Sequence, residues 1–406
     1  MTRVRPSRPV RVLAPAAIAP RIVAELNRRQ FLAAAAALGG AGLLSACGGG
    51  GDDAADGASA PNGEASARAT GGDLESQVSI YTWGDYDSPD VLERFTGELG
   101  PEIRLDSFNS NEEMIAKLVA ARGTSGYDIV VPTGQFIPQM IENGLLEPIN
   151  KDLIPNLEHM DEAFLGMAWD PENQWSICKA WGTTGFVYDN TVITRELKTW
   201  NDFLDAAQNE ASGRMSVLDD PAELTGLYFW ANGIDWTTED EGDLQAAEDF
   251  LVGELAQHIA AFDSYPGGSA IPQGTHVLMQ AWNGDARIGI MESPDPDRWT
   301  WVLGAPATQL WMDNWCIAKG APNIEAAHAF INFVLAPEQV IDQVDYIGYH
   351  TGAKDVESMA ADEGLEMLDL VFFSDEQVAT MQEGEVNSAQ QRIVDIWNKM
   401  KAAAGA

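Results

Sequence analysis

The stretch "SQVSIYTWGDYDSPDVLERFTGELGPEIRLDSFNSNEEMIAKLVAARGTSGYDIVVPT", Ser76 to Thr133, decides the fold class. "SQVSIYTWGDY" opens with alternating and apolar residues, the pattern of a strand that runs into a loop. In "SPDVLERFTGELG", Ser88 suits an N-cap and Pro89 the first helical position. Val91, Leu92 and Phe95 keep helical spacing, and Gly97 or Gly100 stops the helix. "IRLDSF" reads as the next strand, "NEEMIAKLVAARG" as the next helix and "YDIVVPT" as a short buried strand. Two strand–helix units followed by a third strand predict an open α/β sheet. Ligands of such sheets sit beyond the carboxyl ends of the strands, where loops begin. That rule singles out Trp83–Tyr86 and Thr133–Phe136 before any chemistry is considered.

Upstream, residues 1–46 read as an export signal. "NRRQFLAAAAALGGAGLLSAC" carries the arginine pair Arg28–Arg29, a short Ala/Gly/Leu region and the small-residue box that ends at Cys47. The run is too short and too rich in Gly and Ala for a comfortable membrane span. The arginine pair resembles a twin-arginine signal. "LSAC" resembles a lipoprotein box, which implies cleavage before Cys47 and lipid attachment there, hence a membrane-tethered protein outside the cytoplasm. Residues 47–73, mostly Gly, Ala, Ser, Asp and Pro, lack the apolar content to fold and read as a flexible tether ending near Gly72.

The remainder is long enough for two lobes with cores of their own. The whole chain has 24 basic and 62 acidic residues, net −38. Residues 1–46 hold seven arginines and one glutamate, so the chain from Cys47 onward has 24 − 7 = 17 basic and 62 − 1 = 61 acidic residues, net −44. Such a charge repels nucleic acid and anionic lipid, and serves solubility more than any single ligand. Besides Cys47 there are two cysteines, Cys178 and Cys316, in apolar strand-like runs. They suit either a disulfide in an oxidising exterior or two buried thiols. The histidines show no ligand spacing with cysteines, so no metal is expected.

A second α/β block is expected from "WGTTGFVYDN" onward, after a loop containing "WDPENQWSICKAW". Its expected helices include "TWNDFLDAAQ" and "LQAAEDFLVGELAQHIAAF", and its candidate strands "RMSVLDD" and "RIGIM". After "WMDNWCIAKGA" follows the helix "NIEAAHAFINFVLAPEQV", and the amphipathic helix "SAQQRIVDIWNKMKAA" comes last. No internal repeat and no membrane span after the signal is evident.

Four places set tryptophan or a polar loop beside acids: "YTWGDYDSP", "VLDDPAEL", "QAWNGDAR" and "LWMDNWC". A ring face next to a carboxylate suits an alkylammonium, because the ring attracts the cation and the carboxylate accepts its N–H bonds. Each methylene buried between rings adds about 0.8 kcal/mol, and a desolvated cation–π contact about 2 kcal/mol. Asp313, between Trp311 and Trp315 in an apolar run, is the hardest to explain structurally, since an unpaired buried carboxylate costs several kcal/mol. Asp220 and Glu223 have a competing reading as helix caps. Paired carboxylates beside tryptophans also fit a secreted glycoside hydrolase, but no nucleophile elbow or metal-ligand set accompanies them.

From about Val78 to Lys401 the chain resembles the spermidine/putrescine-binding proteins that deliver polyamines to ABC importers. The matching motifs are "YTWGDY", "NEEMIAKL", "YDIVVPT", "AWGTTGFVYD", "DDPAE", "AWNGDA", "WMDNWCIAKGAPN", "INFVLAPE" and "IGYHT", in that order. The resemblance implies a periplasmic-binding-protein fold (type II), two α/β lobes joined by hinge crossovers with the ligand cleft between. Lobe 1 would take 78–183 and 312–357, and lobe 2 would take 184–311 and 358–406. It also implies a monomeric, non-catalytic binding protein without cofactor, whose partners are a polyamine, a membrane permease and its ATPase. Carried over residue by residue, Trp83, Asp85, Tyr86, Thr133, Asp220, Glu223, Trp282, Asp285, Trp311, Asp313 and Tyr349 would hold the ligand. The family's aromatic two residues after Thr133 is Gln135 here, with Phe136 beside it. Asp285 stands where putrescine-type members are acidic and spermidine-type members carry a small hydroxyl. The C-terminal amide has no clear counterpart, Asn387 and Gln390 being the candidates. Another organic cation, or another small solute in the same fold, is the alternative ligand.

Overall fold

In the computed structural model, which describes residues 69–405, the strands are β1 (Gln77–Trp83), β2 (Glu102–Phe108), β3 (Ile129–Val130), β4 (Leu146–Glu147), β5 (Ile177–Asp189), β6 (Met215–Val217), β7 (Ile259–Phe262), β8 (Leu278–Trp282), β9 (Trp299–Leu303), β10 (Thr308–Ala318) and β11 (Met381–Glu383). The helices that matter to the site are α1 (Pro89–Leu99), α2 (Asn111–Ala121), α3 (Pro221–Asn232), α4 (Asn283–Glu292), α5 (Ile324–Val334), α6 (Pro337–Ile347) and α7 (Gln390–Ala404). The expected export signal, Cys47 and the tether up to residue 68 lie outside the described residues.

Strand order is β2-β1-β3-β10-β5-β8-β6-β7, with β4 and β11 also on β10 and β9 also on β5. β1 pairs in parallel with both β2 and β3, as the strand–helix–strand reading requires. Successive β1 residues face opposite cores: Ile80 joins Val91, Phe95 and Phe330 of α1 and α5, whereas Tyr81 joins Met114 and Leu118 of α2. Phe186 and Val187 of β5 divide likewise, toward Trp230 and Ile396 of α3 and α7 on one face and Ala286 and Ile290 of α4 on the other. Helices on both faces explain why these two strands are buried almost end to end.

Two long strands link the halves. From Ile177 to Thr183, β5 runs antiparallel to β10. From Thr184 onward it lies between β8 and β9. The β5–β10 register is interrupted: Asp313 faces Ala180 and Asn314 faces Cys178, so Lys179 is an extra, unpaired residue of a bulge. A bulge turns a side chain away from the regular alternation.

Several expectations need correction. "RIGIM" alternates like a strand but lies in α4, where Ala286 and Ile290 are one helical repeat apart and Gly289 fits tightly against Gly267 and Ile271. β5 begins at Ile177, inside the expected loop, because "ICKAWGTTGFVYD" is buried along its whole length. "LQAAEDFLVGELAQHIAAF" stays helical only to His258, and its end is β7. "NIEAAHAFINFVLAPEQV" is two helices, since Pro337 cannot continue α5 and instead starts α6. The body also begins before Gly72. Ala69 is buried, and the backbone N–H groups of Thr70 and Gly71 donate to the Glu325 carboxylate at 2.7 and 3.0 Å. Cys178 and Cys316 are free buried thiols rather than a disulfide, in separate apolar clusters.

Candidate functional site

The acids and rings named from sequence gather where the two halves meet, around three groups of carboxylates. The innermost is Asp313 on β10. Its Oδ1 accepts from Thr133 Oγ1 at 2.7 Å, and Asn111 Nδ2 donates to Thr133 Oγ1 at 3.0 Å. Rings surround it. Trp311, Tyr349 and Tyr86 are all buried, with Trp311 and Tyr349 edge to face at 4.8 Å and Tyr86 and Tyr349 at 6.1 Å. Burial pushes the Asp313 carboxyl up to about 7, even though Thr133, Tyr86 and the positive charge of Lys179 favour its ionised form.

Lys179 is the bulged residue of β5 and is buried. Its Nζ donates to Asp87 Oδ1 at 2.7 Å and to the Tyr86 carbonyl at 2.8 Å, and sits 4.4 Å from the Tyr86 ring centre and 4.3 Å from that of Trp315. This is an alkylammonium held by a carboxylate and two rings, supplied by the protein itself. Trp315 packs on Phe330 in the core.

A second group lies at an exposed edge. The loop after β1 holds Asp85 in the left-handed region, φ 55°, a conformation more tolerable for Asp than for most residues. Its Oδ1 accepts from Tyr346 at 2.6 Å and its Oδ2 from Tyr265 at 3.1 Å. Asp285, in the first turn of α4, is buried next to it and its backbone N–H donates to Tyr349 Oη at 3.3 Å. Burial raises the Asp285 carboxyl to about 8, a hydrogen bond with Tyr349 opposes this, and the charges of Asp263 and Asp85 add to it.

The third group begins at Asp220, the N-cap of α3, which accepts from the N–H groups of Ala222 and Glu223 at 2.9 and 3.0 Å. The capping role is therefore real. Glu223 Oε1 accepts from Thr184 Oγ1 at 2.7 Å and from the indole N–H of Trp282 at 2.8 Å, while its Oε2 is buried without a partner. Burial, then the charge of Asp220, pushes Glu223 up to about 8. Burial also raises Asp220. Glu112 at the start of α2 is raised by burial and by Asp220, and its Oε1 accepts from Gln390 Nε2 at 3.1 Å.

Some assignments fall differently. Trp83 packs on Phe108, ring centres 4.5 Å apart. Phe136 is in the core and does not replace the aromatic that Gln135 lacks; Gln135 instead abuts Gly384. Asn387 accepts from the Ala389 N–H just ahead of α7 and donates to the Thr237 carbonyl, whereas Gln390 donates to the Glu112 carboxylate. Sequence reasoning missed Glu112, Lys179, Tyr265 and Tyr346. Glu112 lay in a quoted motif. The two tyrosines lie outside the four quoted acid-bearing stretches.

The model of the bacterial extracellular solute-binding proteins matches residues 90–366. The chain belongs to that family. This solute-binding protein is 30% identical over 280 residues to the spermidine/putrescine-binding periplasmic protein of Escherichia coli, covering 69% of this chain and 78% of the relative. It is 27% identical over 294 residues to a putrescine/agmatine-binding protein of Pseudomonas aeruginosa, covering 68% and 78%. Among solved structures, a putative spermidine/putrescine ABC transporter from Listeria monocytogenes superimposes with TM-score 0.74 at 25% identity, covering 80% of this chain and 99% of that one. A lipoprotein of Treponema pallidum superimposes with TM-score 0.69 at 26% identity, covering 80% and 98%. The fold is the periplasmic-binding-protein type expected from the sequence, and these likenesses do not favour a glycoside hydrolase.

Proposed function

We propose that this solute-binding protein captures a linear polyamine, spermidine or putrescine, between its two lobes and hands it to the permease of an ABC importer. The carrying observation is the row of buried acids whose pKa values are raised close to neutrality, Asp285, Asp313 and Glu223, interleaved with Tyr349, Trp311 and Trp282. A buried carboxylate without a cation is costly. Ammonium groups spaced along a methylene chain would satisfy the acids while the rings take the methylenes. The relatives' names point the same way. In this reading Trp83, Trp282, Trp311, Tyr86 and Tyr349 line the slot. Asp85 and Asp285 take one end, Asp313 with Thr133 the interior, and Asp220 and Glu223 the other end. Five acids over-match a dication, which favours spermidine. The lobes are 78–183 plus 312–357 and 184–311 plus 358–406, and closure between them removes water from the ligand. Lipid on Cys47 would hold a monomer at the outer face of the membrane within reach of its permease.

A thermal-shift panel of polyamines, other organic cations, amino acids and sugars tests the ligand class, because a ligand of the native state raises the midpoint by mass action. Spermidine or putrescine should give the largest shift. A larger shift from a neutral sugar would sink the proposal.

Binding should also depend on pH. Alkylammonium groups remain protonated well above neutrality, but Glu223, Asp285 and Asp313 must ionise to pair with them. Affinity should therefore rise by roughly an order of magnitude or more from pH 6 to pH 8, with protons released on binding. For the unliganded protein the sign is opposite. These acids have folded pKa values raised above their usual range near 4, so their contribution is fully present below that range and is lost as pH rises through about 7 to 8. Calorimetry in buffers of unequal ionisation heat reads the proton count. Proton uptake on binding at pH 7 would contradict the scheme.

A further inference from the structure

The loop "DSYPGGS", Asp263–Ser269, follows β7 in the second half of the sheet. Two close approaches shape it. A Cβ at Gly267 would lie 2.2 Å from the Asp285 carbonyl oxygen, and one at Gly268 would lie 2.2 Å from the Tyr265 ring. The loop is thus pressed against the first turn of α4, which carries Asp285, and Tyr265 is folded over its own loop. From there the phenol reaches the first half of the molecule and donates to Asp85 Oδ2 at 3.1 Å, while Tyr346 of α6 holds Oδ1 at 2.6 Å.

Tyr265 is 41% exposed, yet its hydroxyl feels the charges of both Asp85 and Asp285. The ring lies against Gly268 and is partly open to solvent, and its hydroxyl turns toward the carboxylate pair. Asp85 is exposed as well, whereas Asp285 is buried behind it, so Tyr265 stands at the outer edge of this acid group. A hydrogen bond from one half to a carboxylate of the other must break before the halves separate at this edge. A rigid ring beside the last carboxylate also limits how far a bound chain can extend.

We propose that Tyr265 is the end wall and latch of the slot, a specificity-determining residue that sets the length of cation admitted and slows its escape. The proposal rests on the polyamine reading above. A diamine longer than the span from Asp313 to the Asp85–Asp285 pair would drive its last methylenes against the ring. A shorter one would leave that pair unmatched.

The test uses the purified protein, spermidine and a homologous diamine series from propane to octane, with affinities by calorimetry and dissociation by stopped flow. The wild type should favour one length. Tyr265→Ala should dissociate at least ~10-fold faster, about 1.4 kcal/mol, and should bind the longest diamines as tightly as the preferred one. Tyr265→Phe should keep the length preference but still release ligand faster, because it retains the wall and loses the latch. A Tyr265→Ala protein with the wild-type dissociation rate and length profile overturns the inference alone. A wild type that binds none of these amines overturns the polyamine reading and the inference with it.

Discussion

Asp313→Asn is expected to weaken polyamine binding by about 2–5 kcal/mol, roughly thirtyfold to several thousandfold. The amide matches the carboxylate in shape and can still accept from Thr133, whose Oγ1 donates to Asp313 Oδ1. What it cannot do is neutralise an ammonium between Trp311, Tyr349 and Tyr86. The loss should therefore appear in ligand affinity and not in folding. The unliganded variant should be as stable as the wild type at about pH 4, below the unfolded pKa of an aspartate, and more stable at pH 8. Above its raised pKa of about 7, the wild type has a buried negative charge that the variant lacks. Calorimetry on the ligand and thermal midpoints without it, at both pH values, separate these effects. An unchanged polyamine affinity would show that Asp313 does not pair with an ammonium group.

Lys179→Met should destabilise the fold by about 3–5 kcal/mol, because it leaves Asp87 buried without its cation. Both side chains of that pair are almost fully enclosed, 2% and 0% exposed. Burial already raises the Asp87 carboxyl, and Lys179 is the main influence that opposes this. Adding Asp87→Leu should recover most of the loss, since replacing a whole buried pair with apolar residues is often close to neutral. Polyamine affinity should not recover in the double variant, because Lys179 also holds the Tyr86 carbonyl at 2.8 Å and underlies its ring. Chemical denaturation of the two single variants and the double variant gives the coupling. Equal stability of Lys179→Met and wild type would show that the pair is not the support described.

Legibility followed the range of the interaction that decides each residue. The β1–α1–β2–α2–β3 run was readable because spacing, Pro89 and the glycine stops are local signals, and the helices start and end within a residue or two of expectation. "RIGIM" misled because alternation over five residues fits a strand as well as a helix face, and the close approach to Gly267 that favours the helix is tertiary. Trp282 with Asp285 and Trp311 with Asp313 stood out because acid and ring are close in sequence, and Asp220 and Glu223 because "DDPAE" clusters acids in a polar loop. Lys179 was not, since its inward aim follows from a register shift between β5 and β10. Tyr265 and Tyr346 meet at Asp85 only through the packing of distant loops and helices, 180 and 261 residues away. Disulfide or thiols for Cys178 and Cys316 was likewise a question of which clusters they enter.

The central claim is that this protein holds ammonium groups on buried carboxylates between aromatic rings. Titration calorimetry of the wild type with spermidine and with putrescine, at pH 8 in low and in high salt, tests it most directly. The account predicts micromolar or tighter binding of at least one amine that persists in high salt, because buried pairs are screened far less than exposed ones. A folded protein that binds neither amine at either salt would contradict it.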